Sequence, residues 1–186
     1  MPSLGLVPVD LPGSVEDLLA LLAESARLDD EESVSVLDHQ LQTAALLLER
    51  CPGDVELQVA GLVHDLGWLS GSSAHDRAGA DIVRALLGER VGRLVGGHVE
   101  AKRYLVTVDP DYGARLSARS VETLGFQGST MTASEVAGFE SRADFEALVT
   151  LRRADDDAKV AGLQVAALDT WRTALTAIAT ADRLSH

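Results

Sequence analysis

Residues 54–67 read DVELQVAGLVHDLG. Asp54 carries a side chain suited to cap a helix, and Leu57, Val59, Ala60, Leu62 and Val63 then form a nearly continuous apolar stretch that runs into His64 and Asp65. A helix this apolar belongs in a core, so it delivers an imidazole and a carboxylate to the interior. Two such groups are costly to desolvate unless they bind a cation or one another. The stretch predicts a helical fold with a polar site at its centre.

Outward from that helix the pattern stays helical. Ser14 with Asp17 can close a cap before Val15, Leu18, Leu19, Leu21 and Leu22, which predicts a first helix over 14–27; a second over 34–50 is stopped by Pro52 and Gly53. Gly67 and Ser70, Gly71, Ser72 and Ser73 read as short, exposed punctuation. Helices are expected at 75–87 and 89–106 with a break near Gly88, then short helical turns and a substrate-facing loop across 109–134, which holds Pro110, Gly113, Gly125 and Gly128. Thr132 and Glu135 have capping-box spacing, and further helices are expected at 142–158 and 163–183. Residues 1–13, with three prolines, read as an N-terminal arm, and 14–186 as a single domain. Apolar residues make up 46% of the chain but aromatics only 4%, and this Ala-, Leu- and Val-rich composition favours an all-α fold of closely packed helices.

At 186 residues the chain can bury one substantial core and is too short for two catalytic domains. A net charge of −13 argues against nucleic acid and against an anionic membrane surface, while leaving room for a small anionic partner held by two or three focused cations. Cys51 is the only cysteine, so neither a disulfide framework nor a thiolate metal site is available, and a reducing compartment fits. With neither an apolar run of roughly 18 residues nor a charged leader followed by an apolar segment, a soluble cytoplasmic protein is expected.

His39, His64, His75 and His98 fall on separate predicted helices or at their ends. A lone histidine beside apolar residues is ordinarily a satisfied core side chain; four of them together with the His64–Asp65 pair suggest a metal site. Val91, Leu94, Val95, His98 and Lys102 recur at helical spacing, so Lys102 shares the inward face with His98; Leu148, Arg152, Asp155 and Lys159 form a similar stripe. A metal beside fixed basic side chains suits an oxygen-rich anion. Imidazoles and carboxylates without thiolate suit iron, zinc, manganese or cobalt. Six ligands are too many for one catalytic ion that must also hold substrate. They divide naturally as His39, His64 and Asp155 on one ion, His75 and His98 on the other, and Asp65 bridging. Asp155 is preferred to Asp156 because it shares the Arg152 stripe, with Asp156 as the fallback.

The order His39, His64–Asp65, His75, His98 and Asp155 resembles the HD-domain superfamily, and more sharply its mixed-valent diiron oxygenases that cleave 1-hydroxyalkylphosphonates. The resemblance covers roughly residues 34–162 and is carried by HDLG at 64–67, HVEAKRYL at 98–105, LSARSVETLGFQG at 116–128 and LRRADDDAK at 151–159. It implies a compact HD-domain helical bundle whose six residues hold an Fe(II)/Fe(III) pair. It also implies use of O2 to break the carbon–phosphorus bond of a small anionic organophosphonate, giving phosphate and a carboxylic acid. Lys102, Ser120, Thr123 and Arg152 match the family's phosphonate pocket, and two hydroxyls with two cations are apt partners for three phosphoryl oxygens. Replacing Lys102 or Arg152 is therefore expected to weaken substrate binding and leave metal content near normal. Trp68 stands where some relatives have a substrate-facing histidine, and could line a smaller pocket or offer a face to a cation; Asp29 and Glu32 occupy a region where relatives can meet an amine. The rival expectation is an HD-type metal-dependent phosphohydrolase acting on a small phosphate ester or nucleotide.

Overall fold

The computed structural model describes residues 9–28 and 34–184, with side chains described up to 181. Asp29 and Glu32 therefore lie outside the described residues, as do residues 1–8 of the expected N-terminal arm. Among the described residues the protein is all-α: α1 Val15–Ser25, α2 Val36–Arg50, α3 Val55–Val63, α4 His75–Val108, α5 Pro110–Arg115, α6 Ala118–Phe126, α7 Ala133–Glu140, α8 Phe145–Asp157 and α9 Arg172–Leu184, with 3-10 turns at Leu66–Ser70 and Leu168–Trp171. Among the described residues, no helix is long and apolar enough to cross a membrane.

The expected caps are in place. The Ser14 hydroxyl accepts from the Asp17 amide, the Asp54 carboxylate accepts from the Leu57 amide at 3.1 Å, and Thr132 with Glu135 closes a reciprocal capping box. Each satisfies a helix-start donor worth about 1 kcal/mol. Every residue of α3 from Leu57 to Val63 is buried, because the helix packs against α2, α4 and α8. This central placement is what carries His64 and Asp65 inward.

Helix α4 is two arms joined at Gly88, which adopts φ 83°, ψ 172°, a region open essentially only to glycine. In a straight helix His75 and His98 would stand about 35 Å apart; here their Nε2 atoms are 3.0 Å apart. The break at Gly88 is thus a reversal, and small residues let the arms close: Gly79 packs on Val95 and Gly96 on Ala80.

Three expectations change. Residues 66–70 form a 3-10 turn whose Leu66 and Gly67 are buried, where exposed punctuation was expected. Lys159 lies beyond the end of α8, so the helical stripe stops at Asp155. The final helix begins at Arg172 and not near 163, since Val160 and Leu163 are exposed and offer no buried face to stabilise a helix there, and Gly162 turns the chain at φ 75°. That connecting segment is fastened to α2 by Gln42, whose amide both donates to the Val160 carbonyl at 2.9 Å and accepts from its N–H at 3.0 Å.

Candidate metal centre

All six sequence-predicted histidines and aspartates of the centre are buried and converge. The His39 Nε2 lies 3.2 Å from the His64 Nε2 and 3.2 Å from Asp155 Oδ1; His75 and His98 form the second pair. Asp65 stands between them. Its Oδ2 is 3.5 Å from His64 and 3.7 Å from His39, while its Oδ1 is 3.5 Å from His75 and 3.8 Å from His98. Two His/Asp groups suited to a dinuclear metal site thus share one carboxylate.

The proton inventory shows that these groups fit cations. His39 Nδ1 contacts the Ala158 carbonyl at 3.0 Å, His64 Nδ1 that of Gly61 at 2.8 Å, and His98 Nδ1 that of Val95 at 2.7 Å. A carbonyl can only accept, so each of these Nδ1 atoms carries the proton and each Nε2 presents a lone pair inward. Lone pairs from His39, His64 and His98 therefore face carboxylate oxygens, an array that repels itself unless positive charge sits among them. Protonating His75 and His98 is not the remedy. Burial pushes the His75 imidazole down to about 3 against the pull of Asp65, and burial also lowers His98. Burial opposes ionisation of Asp65, yet positive charge at the surrounding imidazole positions, His64 foremost, holds its carboxyl below the ordinary range, and with the rings neutral a bound cation would supply that charge. Neutral imidazoles around ionised carboxylates are the donor set of a divalent or trivalent metal.

Beside the centre, Lys102, Ser120, Thr123 and Arg152 line one pocket with His39, Asp65, His75, His98 and Asp155. The Lys102 ammonium donates to Thr123 Oγ1 at 2.8 Å. Burial, with the Arg152 guanidinium adding to it, pushes Lys102 down to about 7. Arg152 donates through Nη1 to Asp155 Oδ2 at 2.8 Å, through Nη2 to Ser120 Oγ at 3.4 Å, and through Nε to the Tyr112 hydroxyl at 3.0 Å. Asp156 instead bonds Arg152 and accepts from the Tyr112 hydroxyl at 2.5 Å. The geometry thus favours Asp155 over the Asp156 fallback as the carboxylate turned toward His39.

Trp68 lines the same pocket. Its ring stacks on His75 with centroids 4.0 Å apart and an angle of 11°. Sequence reasoning missed Arg119, Gln127 and Val99 in the wall, and gave Lys159 no role there. Arg119 and Gln127 do stand within the 116–128 segment that carries the resemblance, but no apolar stripe marks them as inward-facing. Tyr112, the brace between Arg152 and Asp156, gave no sequence signal.

No family model matches the chain. It is 35% identical over 175 residues to the hydroxymethylphosphonate dioxygenase of Gimesia maris, spanning 87% of each protein. It is 31% identical over 154 residues to the 1-hydroxy-2-(trimethylamino)ethylphosphonate dioxygenase (glycine-betaine-forming) of Leisingera caerulea, spanning 77% of each. An uncharacterised protein of Acanthamoeba polyphaga mimivirus is 32% identical over 154 residues, which are 76% of this chain and 70% of that one. Such identity runs along most of both partners in the first two comparisons, and the chain accordingly belongs to the family of HD-domain hydroxyalkylphosphonate dioxygenases.

Proposed function

We propose that this protein is a diiron oxygenase that uses O2 to cleave the carbon–phosphorus bond of a small 1-hydroxyalkylphosphonate, releasing phosphate and the corresponding carboxylic acid. The observation that carries this reading is the juxtaposition, in one pocket, of a two-faced carboxylate flanked by histidine pairs and a cradle of two cations and two hydroxyls. A 1-hydroxyalkylphosphonate has matching ends, an adjacent hydroxyl and phosphonate oxygen able to chelate and further phosphonate oxygens able to accept hydrogen bonds.

His39, His64 and Asp155 would hold one iron of an Fe(II)/Fe(III) pair, His75 and His98 the other, and Asp65 both. When bound, the pair would supply O2 activation and the redox capacity to oxidise the substrate's C1. The chain's own contribution is orientation and charge. Lys102 and Arg152, with Ser120 and Thr123, would fix the phosphonate so that C1 is presented to the metal side of the pocket. A phosphonate dianion beside Lys102 would keep the ammonium protonated despite its burial.

One substrate and one O2 balance to one carboxylic acid and one phosphate. The test is simultaneous measurement of O2 and phosphate with iron-loaded protein and hydroxymethylphosphonate, for which equal amounts of O2 consumed and phosphate released are expected. Phosphate release from a phosphate ester under anaerobic conditions, with no O2 uptake on any hydroxyphosphonate, would establish the phosphohydrolase instead.

The hydrogen bonds support a distinction between the two proposed cradle cations. Lys102 contacts none of the six candidate ligands by hydrogen bond, whereas Arg152 bonds Asp155 directly. Lys102→Ala is expected to raise KM roughly 10- to 100-fold, the worth of a charge-assisted hydrogen bond, with iron content unchanged. Arg152→Ala is expected to weaken substrate binding and also lower iron content, because Asp155 loses the guanidinium that holds it ionised and aimed. This revises the expectation that both variants keep their metal. Iron analysis of the two purified variants checks it, and equal iron content in both would reject the distinction.

A further inference from the structure

We propose that Trp68 and Arg119 restrict the substituent on the substrate's C1 to a small, uncharged one, so that hydroxymethylphosphonate or a close homologue is preferred and a quaternary ammonium is refused. The proposal rests on the hydroxyphosphonate reading above and concerns which member of that class the pocket takes.

The pocket has two kinds of wall. Lys102, Ser120, Thr123 and Arg152 present the donors suited to a phosphonate. Trp68 and Arg119 form a strap linking the 3-10 turn Leu66–Ser70 to α6, the guanidinium carbon lying 5.4 Å from the indole centroid. A trimethylammonium group is recognised by open aromatic faces or by carboxylates. Here the indole is engaged by the His75 imidazole stacked on it and by the Arg119 guanidinium over it. Arg119 is itself anchored by Glu122 at 3.3 Å, on the outer side of α6 where the Glu122 side chain is 56% exposed.

Charge points the same way. Among the described residues that line the pocket, the carboxylates are Asp65 and Asp155, both turned toward histidines, and the cations are Lys102, Arg119, Arg152 and Lys159. A cationic substituent on C1 would enter a space whose described charged lining, apart from the two aspartates turned toward the histidines, is cationic. A bulky neutral one would meet the strap. Hydrogen or a short alkyl group on C1 makes the least demand on the space beside Trp68, which lines the pocket and is held flat on His75.

Anaerobic titration of the iron-loaded full chain, followed by calorimetry, tests this with three probes: hydroxymethylphosphonate, 1-hydroxy-2-(trimethylamino)ethylphosphonate, and the neutral analogue with a tert-butyl group replacing trimethylammonium. Wild-type protein is expected to bind hydroxymethylphosphonate about 100-fold more tightly than the trimethylammonium compound, with the tert-butyl analogue between them. Arg119→Gln is expected to shrink the gap between the two bulky probes about tenfold, and Trp68→Ala to improve the affinity of the tert-butyl analogue. Equal or tighter wild-type binding of the trimethylammonium compound overturns the proposal, as does an Arg119→Gln variant in which the gap persists or a failure of all three probes to bind. The wild-type comparison stands even if a variant loses its iron. Selective binding without O2 consumption would overturn the oxygenase reading and keep this one, whereas O2 consumption without selectivity would do the reverse.

Discussion

Asp65→Asn is expected to yield a folded protein that keeps no more than about one metal ion per chain and loses on the order of a thousandfold in kcat/KM, about 4 kcal/mol of transition-state stabilisation. The argument turns on the two oxygens. Oδ2 faces His39 and His64, and Oδ1 faces His75 and His98, all within 3.5–3.8 Å. An amide of the same shape has one oxygen and one NH2, and the NH2 can only donate. Whichever way the amide turns, one histidine pair loses its anionic partner and the centre loses a unit of negative charge. The fold should survive, because a buried neutral amide is cheaper to desolvate than the carboxylate it replaces. Metal analysis alongside far-UV circular dichroism checks the prediction. Two ions retained in a folded Asp65→Asn protein would sink the bridging role.

Much of this candidate centre was legible because His64, Asp65, His98 and Asp155 lay on or beside helical runs whose burial could be inferred. His64 and Asp65 end a run too apolar to be a surface helix, and all of α3 from Leu57 onward is indeed buried. His98 with Lys102, and Arg152 with Asp155, were placed by the spacing of apolar neighbours, and all four are buried. The same logic could not find Arg119. It sits between Ala118, which is exposed, and Ser120, which is buried, on a short helix with few buried residues, so its place over Trp68 depends on how α6 docks and not on any local pattern. Lys159 shows the opposite error. Helical spacing put it on the right side for the wrong reason, since the helix has ended by Ala158 and the chain reaches the pocket as an irregular segment.

The reversal at Gly88 was half legible. A glycine between two amphipathic segments announces a break, but the size of the turn follows from φ and ψ, which a sequence does not state. The consequence for the site is large, because a modest kink would have left His75 far from His98, and the division of ligands between two ions would have had no structural basis. The stretch after His64–Asp65 was misjudged for a related reason. Gly67 and the following serines have the composition of an exposed turn, yet tertiary packing draws the first part of that turn inside.

That packing makes Gly67→Ala the substitution with the largest expected effect on stability. A Cβ at Gly67 would stand 1.8 Å from the His75 carbonyl oxygen and 2.7 Å from the Gly79 amide nitrogen. Both obstacles are backbone, at the start and within the first arm of α4, so no rotamer change can relieve the clash and the turn must move away from the helix. Overpacking of this kind costs about 3 kcal/mol or more, which for a chain of this size corresponds to a fall in Tm of roughly 6–12 °C. The same displacement separates Asp65 from His75, so iron content should fall with stability. Gly138→Ala is the matched control: it lies in α7 with nothing within 4 Å of the added carbon, and exchange of a helical glycine for alanine should leave Tm unchanged or raise it by stabilising the helix about 0.5–1 kcal/mol. Calorimetric Tm and iron content measured on the two variants decide the matter. A Gly67→Ala protein as stable and as iron-rich as Gly138→Ala would show that the turn is not wedged against α4, and with it would go the account of how Asp65 comes to face His75 and His98.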